Sequence, residues 1–222
     1  MAQIFHRGAN TIAKASIVAA VLLGGIAFYV VTQIARSTYV TGVNLERQQP
    51  VQFSHKHHSG DDGIDCRYCH TAVETSSSAG MPPTQTCMNC HSQIWSDSPY
   101  LEIVRASYRD NKPIQWERVH DLPDYVYFNH SAHINKGVGC STCHGNVTEQ
   151  PAIRMVNTLQ MEWCLSCHRE PEKFIRDKKD IYDPAYPAQN TTAALYQIGV
   201  EKKAEYKVRN RLMMTSCSTC HR

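Results

Sequence analysis

All ten cysteines of this 222-residue chain fall in Cys-x-x-Cys-His units, and no other feature limits so strongly what the chain can fold into. The units are Cys66-Arg67-Tyr68-Cys69-His70, Cys87-Met88-Asn89-Cys90-His91, Cys140-Ser141-Thr142-Cys143-His144, Cys164-Leu165-Ser166-Cys167-His168 and Cys217-Ser218-Thr219-Cys220-His221. None is left over for a disulfide. Two thiols three positions apart can each add to one vinyl group of a porphyrin, while the histidine that follows reaches the iron. A zinc ribbon has no need of a histidine after each pair, and a redox dithiol of the thioredoxin kind calls for a βαβ pattern that the sequence lacks. The spacing therefore predicts five covalently bound haem c groups. Their attachment residues are Cys66, Cys69, Cys87, Cys90, Cys140, Cys143, Cys164, Cys167, Cys217 and Cys220, and His70, His91, His144, His168 and His221 are the proximal ligands.

Five haems leave each group roughly 36 residues of cover outside the N-terminal segment, too few for an ordinary apolar core. The porphyrins must themselves supply buried apolar surface. The expected fold is mostly α-helical and irregular with little strand, short helices and loops wrapping the haems, and loss of haem should unfold it. The formal charge of +3 is mild, and the Lys and Arg residues form no basic run, so nucleic acid is not an expected partner.

Residues 15–36 form an apolar stretch long enough to span a bilayer as a helix. Arg7 and Lys14 precede it, which favours a cytoplasmic N-terminus over residues 1–14 and a single-pass anchor in a bacterial inner membrane, with the remainder in the periplasm. The stretch exceeds a usual leader's apolar region and no A-x-A-like site follows, so a retained anchor is expected rather than a cleaved signal. Residues 37–50 read as a linker and 51–222 as the haem domain.

That domain repeats itself. Val51-Gln52-Phe53-Ser54-His55-Lys56-His57-His58 before the first unit matches Val126-Tyr127-Phe128-Asn129-His130-Ser131-Ala132-His133 before the third. Successive units start 21, 53, 24 and 53 positions apart, a duplicated module over about 51–119 and 120–222 with one additional haem. Thr75–Gly80 reads as a polar loop, and residues 100–109 and 193–208 read as helices.

A six-coordinate iron needs a second ligand. His6 lies on the cytoplasmic side of the anchor, which leaves His55, His57, His58, His120, His130 and His133. Histidines three apart share a helix face and can reach two neighbouring haems, so His55, His58, His130 and His133 are predicted distal ligands, with His120 as the fifth. The ligand of the fifth haem stays open between His120 and a methionine such as Met213 or Met214; a thioether ligand would raise that haem's potential.

The segments Val51–His70, Gly80–His91, Arg118–His130 and Met161–Cys164, read with the anchor and the five units, resemble class III multihaem cytochromes. They resemble more closely the pentahaem cytochrome c subunit of bacterial alternative complex III. That resemblance implies a membrane quinol:acceptor oxidoreductase in which such a subunit takes electrons from an iron–sulfur subunit, beside polytopic quinol-binding subunits, and passes them to a monohaem cytochrome c or a terminal oxidase. The subunit is expected to be an electron relay without catalysis of its own. A stand-alone quinol dehydrogenase cytochrome feeding a periplasmic reductase is the alternative, and an enzyme with an open iron is a third reading that added carbon monoxide or nitrite would reveal.

Overall fold

The computed structural model describes residues 4–186 and 192–221. Contacts divide the chain into a unit ending at Val43 and a unit from Asn44 onward.

The first unit is dominated by α1 (Ala9–Arg36). The span carries no acidic residue and no proline, every backbone bond can close within the helix, and none of its residues is buried. It is long and apolar enough to cross a membrane. The helix starts earlier than the apolar stretch because Asn10, Thr11 and Lys14 are compatible with helix in an interfacial setting, so apolarity alone does not mark where the turns begin. A one-turn helix α2 (Thr38–Thr41) follows, and Gly42 ends it in the left-handed region (φ 69°) that a side chain would resist.

Residues from Asn44 onward are tied into the haem domain. The Asn44 N–H donates to Met155 O at 2.7 Å, Glu46 bridges to Arg154, and the Arg47 guanidinium donates to Arg118 O at 3.1 Å. Gln49 holds the backbone of Glu117 from both sides.

The domain is a succession of short helices: α3 (Cys66–Cys69), α4 (Thr84–His91), α5 (Glu102–Asp110), α6 (His130–Asn135), α7 (Cys140–His144), α8 (Met161–Arg169), α9 (Thr192–Glu205), α10 (Arg211–Met214) and α11 (Cys217–Cys220). Single turns of 3₁₀ helix, among them Val147–Glu149, Pro171–Lys173 and Lys178–Asp180, connect them. Among the described residues there is no strand, only the isolated bridges Glu46–Arg154 and Val138–Ile175. The helices predicted over 100–109 and 193–208 are α5 and α9, and left-handed Asn111 (φ 49°) and Lys207 (φ 52°) follow their ends.

Buried apolar side chains are few and scattered: Val73, Val104, Val119, Ile134, Met155, Ile175, Ile181 and Tyr186. Among the described residues no large side chain is fully buried. Such a core cannot by itself offset the conformational entropy of a domain this size. The two halves of the repeat are tied together: Ser76 and Ser77 of the first accept backbone hydrogen bonds from Ser131 and His130 of the second, each 3.1 Å long.

Candidate haem centres

Every Cys-x-x-Cys pair lies on a helical turn, α3, α4, α7, α8 or α11, which sets the two thiols on one side and the following histidine at the turn's end. Asp65 caps α3, its carboxylate accepting the Arg67 N–H at 2.8 Å and ion-pairing the same guanidinium. All ten thiols are free.

Backbone oxygens orient most of the imidazoles. Nδ1–H donates to Gly80 O from His70 (2.9 Å), to Ile94 O from His91 (3.0 Å), to Met214 O from His168 (2.8 Å) and to Tyr125 O from His221 (3.0 Å). Among the predicted distal ligands, His58 donates to Ser54 O (2.9 Å), His130 to Ser77 O (2.9 Å) and His133 to Asn129 O (2.8 Å). Each bond fixes the tautomer and leaves Nε2 with its lone pair, the arrangement a metal-bound imidazole needs. His144 differs, because its Nδ1 lies 3.2 Å from Nε2 of His120. His55 differs again: its Nδ1 is buried with no hydrogen-bond partner.

The sequence repeat is a geometric repeat. Phe53 stacks on His58 (4.4 Å between centroids, 25° between planes) and stands edge-on to His55 (4.9 Å, 86°). Phe128 does the same to His133 (4.5 Å, 22°) and His130 (4.7 Å, 88°). The backbones differ, since the first pair sits on a π-helical turn (Lys56–Asp61) and the second on α6. In the first module Gly60 abuts the Thr148 carbonyl where a Cβ would collide. His58 faces His91 with centroids 6.1 Å apart, and His133 faces His168 at 6.2 Å. His57, by contrast, points to Asp61 and Asp62 and stacks beside Trp95.

Four imidazoles, His55, His120, His133 and His144, are held toward the neutral form. Burial pushes the pKa of His144 down to about 3, with His120, His130, His70 and His55 adding to the shift. Burial, then His70, His58 and His120, brings His55 to about 4. Burial also lowers His133, against the pull of Asn129 O, and lowers His120, where His130 adds to it. A neutral imidazole is the ligating form.

The thiols record which units are neighbours. The Cys66 and Cys140 thiols interact, which brings Cys66 down to about 7 and, with burial, drives Cys140 up. Burial raises Cys69, with Cys87, Cys66 and Cys90 contributing, and pushes Cys143 up to about 12, with Cys167 and Cys164 contributing. Burial raises Cys164 as well, with Cys220 adding to it.

The donor set fits c-type haem: paired thiols on single turns, an oriented imidazole beside each pair, and further imidazoles facing two of them. Phe53 and Phe128, which pack against the His-x-x-His pairs, stand at the same place in the repeat, but an aromatic ring carries no metal-ligand signal in sequence. The carbonyl acceptors carry no side-chain signature at all.

Fold and site together are similar to those of multihaem cytochromes c with class III-type domains. Residues 32–115 match the class III cytochrome c family, and residues 126–222 match cytochrome c7 and related cytochromes c. Over 100 residues the chain is 38% identical to the multihaem cytochrome c subunit of menaquinone reductase from Nitratidesulfovibrio vulgaris, a match covering 45% of this chain and 47% of that protein. The match thus spans about half the length of the curated relative.

Proposed function

We propose that this chain is the electron-relay subunit of a membrane quinone oxidoreductase, carrying five haem c groups between a quinone-linked partner and a periplasmic redox partner. The observation that carries the reading is the pair of facing imidazoles, His58 with His91 and His133 with His168, at 6.1 and 6.2 Å. Two imidazoles that far apart could hold one iron between them at bonds of about 2 Å each. An iron held in this way would have no open position for substrate and would change oxidation state with little rearrangement, which suits transfer rather than catalysis.

When bound, each haem supplies one reversible one-electron step. The chain's residues hold it: the ten cysteines by thioether bonds, and His70, His91, His144, His168 and His221 on the proximal side. His58 and His133 stand opposite His91 and His168. His55 and His130 complete the repeated pairs and serve the first and third units, with which their imidazoles interact. The thiol neighbourhoods support a relay order of second, first, third, fourth and fifth unit. In this reading α1 anchors the chain and the haem domain lies in the periplasm, where haem attachment takes place.

Similarity to a menaquinone reductase subunit supports a quinone-linked complex, and the sequence resemblance favours the alternative complex III type, with iron–sulfur and polytopic quinol-binding subunits upstream and a monohaem cytochrome c or terminal oxidase downstream. The test is to tag the chain, extract it in mild detergent, identify what co-purifies and assay quinol-dependent haem reduction in the same sample. Iron–sulfur and polytopic partners with quinol reduction are expected. A chain recovered alone and still reduced by quinol would be a stand-alone dehydrogenase, and one that quinol never reduces in any complex would sink the proposal.

A further inference from the structure

The geometry points to His120 as a positioning residue that hydrogen-bonds the proximal ligand His144 from behind, and not as an axial ligand of any iron. The inference rests on the haem reading of the Cys140 unit and changes the role expected of His120 from the sequence.

The argument is one of lone pairs and protons. His144 Nδ1 and His120 Nε2 lie 3.2 Å apart with the rings edge to face, 4.3 Å between centroids and 70° between planes. For His144 to bind iron through Nε2 in its neutral form, the ring must carry its proton on Nδ1. That N–H then donates to His120 Nε2, whose single lone pair is consumed by the hydrogen bond and cannot also bind a metal. The reversed polarity fares no better. If His120 donated from Nε2, His144 would accept at Nδ1 and would have to keep its proton on Nε2, which would cancel its own ligation. One proton between two nitrogens allows one iron ligand, and the histidine that belongs to the Cys-x-x-Cys-His unit is His144.

The substitution of acceptor has a consequence. His70, His91, His168 and His221 donate to peptide carbonyls. An imidazole nitrogen is a stronger base than a carbonyl oxygen, so it draws the Nδ1 proton further from His144 and makes that ring a stronger donor to its metal. A more basic axial ligand favours the ferric state. The third unit's haem should therefore sit at a lower potential than a carbonyl partner would give.

The experiment compares the membrane-extracted wild-type chain with His120→Leu and His120→Asn by haem content, peptide mapping of the Cys140 attachment, optical and EPR spin state, carbon monoxide binding to the reduced protein, and redox titration. Expected in His120→Leu are a full haem complement, no new high-spin signal, no carbon monoxide binding, and an upward shift of one midpoint potential. His120→Asn, which retains an oxygen acceptor, should reverse part of that shift. A high-spin haem that binds carbon monoxide in His120→Leu would make His120 an axial ligand and overturn the inference while leaving the haem reading intact. Unchanged potentials in both variants would overturn it as well. If peptide mapping finds no haem on Cys140 and Cys143 of the wild type, the haem reading of that unit fails first. Should the variants fail to load haem, a structure of the haem-loaded wild-type protein decides by whether His120 Nε2 lies against His144 Nδ1 or against an iron.

Discussion

Arg176 is a buried cation whose hydrogen-bond acceptors are all uncharged. Its guanidinium donates to Asp180 O and Asp183 O (3.3 Å each), to Ser141 Oγ (3.3 Å) and to Thr142 Oγ1 (3.0 Å), and it lies 4.9 Å over the Tyr186 ring. Those bonds tie the third Cys-x-x-Cys turn to the 178–183 segment. Gly139 is required there because a Cβ would run into the guanidinium. Arg176→Leu strands four oxygens in a buried place, and a loss of about 2–4 kcal/mol follows. Thermal unfolding of the haem-loaded protein measures it, with Arg118→Leu as the control. Arg118 pairs with Asp121 at 3.1 Å on the exposed surface, where a change below about 1 kcal/mol is expected. Equal effects in the two variants would refute the role given to Arg176. Nothing in the sequence singled this residue out. It sits in a mixed-charge stretch that reads as a solvated face, and only the fold turns one member of that stretch inward. The proposed ligand pairs come from cysteine spacing and a repeated His-x-x-His, which carry their chemistry in residue identity. Their Nδ1 partners were not, because a peptide carbonyl looks the same at every position.

At the scale of elements, α9 shows how a helix with little sequence amphipathicity is held. Gly199 is buried and lets the helix lie directly on the Glu172 carbonyl of the Pro171–Lys173 turn, a position no Cβ could occupy. Lys203 pairs with Glu172 at 2.8 Å and Lys202 with Asp177 at 3.2 Å. Gly199→Ala therefore has to lift the helix off its seat. The expected result is a loss of at least 2 kcal/mol or so in local stability, seen as faster amide exchange in α9 with haem spectra unchanged. Exchange at the wild-type rate would mean that the close approach is not needed. The ion pairs add a pH dependence. Asp177 is held below its ordinary range by the Lys179 N–H and then by Lys202; Glu172 is raised by burial but lowered on balance by Lys203 and nearby backbone. Carboxylates depressed in the folded state contribute stability that is complete above their unfolded values and is lost as pH falls through the folded ones. Protection of α9 should thus be constant near neutrality and decline in the acid range, and Lys203→Met should flatten the decline. The α9 helix itself was readable from the sequence. Its seat was not, because the pairing partner lies in a different turn some thirty residues away. The π-helical turn at Lys56–Asp61 was equally hidden, since three-residue histidine spacing suits α and π geometry alike.

At the scale of the whole molecule, chain order and the proposed relay order differ. Chain order runs from first unit to fifth, yet the Cys66 thiol of the first unit interacts with Cys140 of the third, while Cys69 interacts with the second unit's Cys87 and Cys90. Folding back the long segment between the second and third units makes the first unit the junction, and no local pattern announces such a fold. The proposed sequence of second, first, third, fourth and fifth has the third unit at its centre and the second and fifth at its ends. Replacing Cys140 and Cys143 by alanine should split the relay. In stopped-flow reduction by a quinol through the native complex, the two units on the donor side should still reduce at the wild-type rate, and the two beyond the gap should lag by orders of magnitude. Replacing Cys217 and Cys220, at one end, should leave the other four haems reducing together if quinol electrons arrive at the second unit. If they arrive at the fifth, the same variant should delay all four, so the pair of variants gives the direction of flow as well as the order. Fast and uniform reduction of all remaining haems in both variants would rule out a linear relay through the third unit.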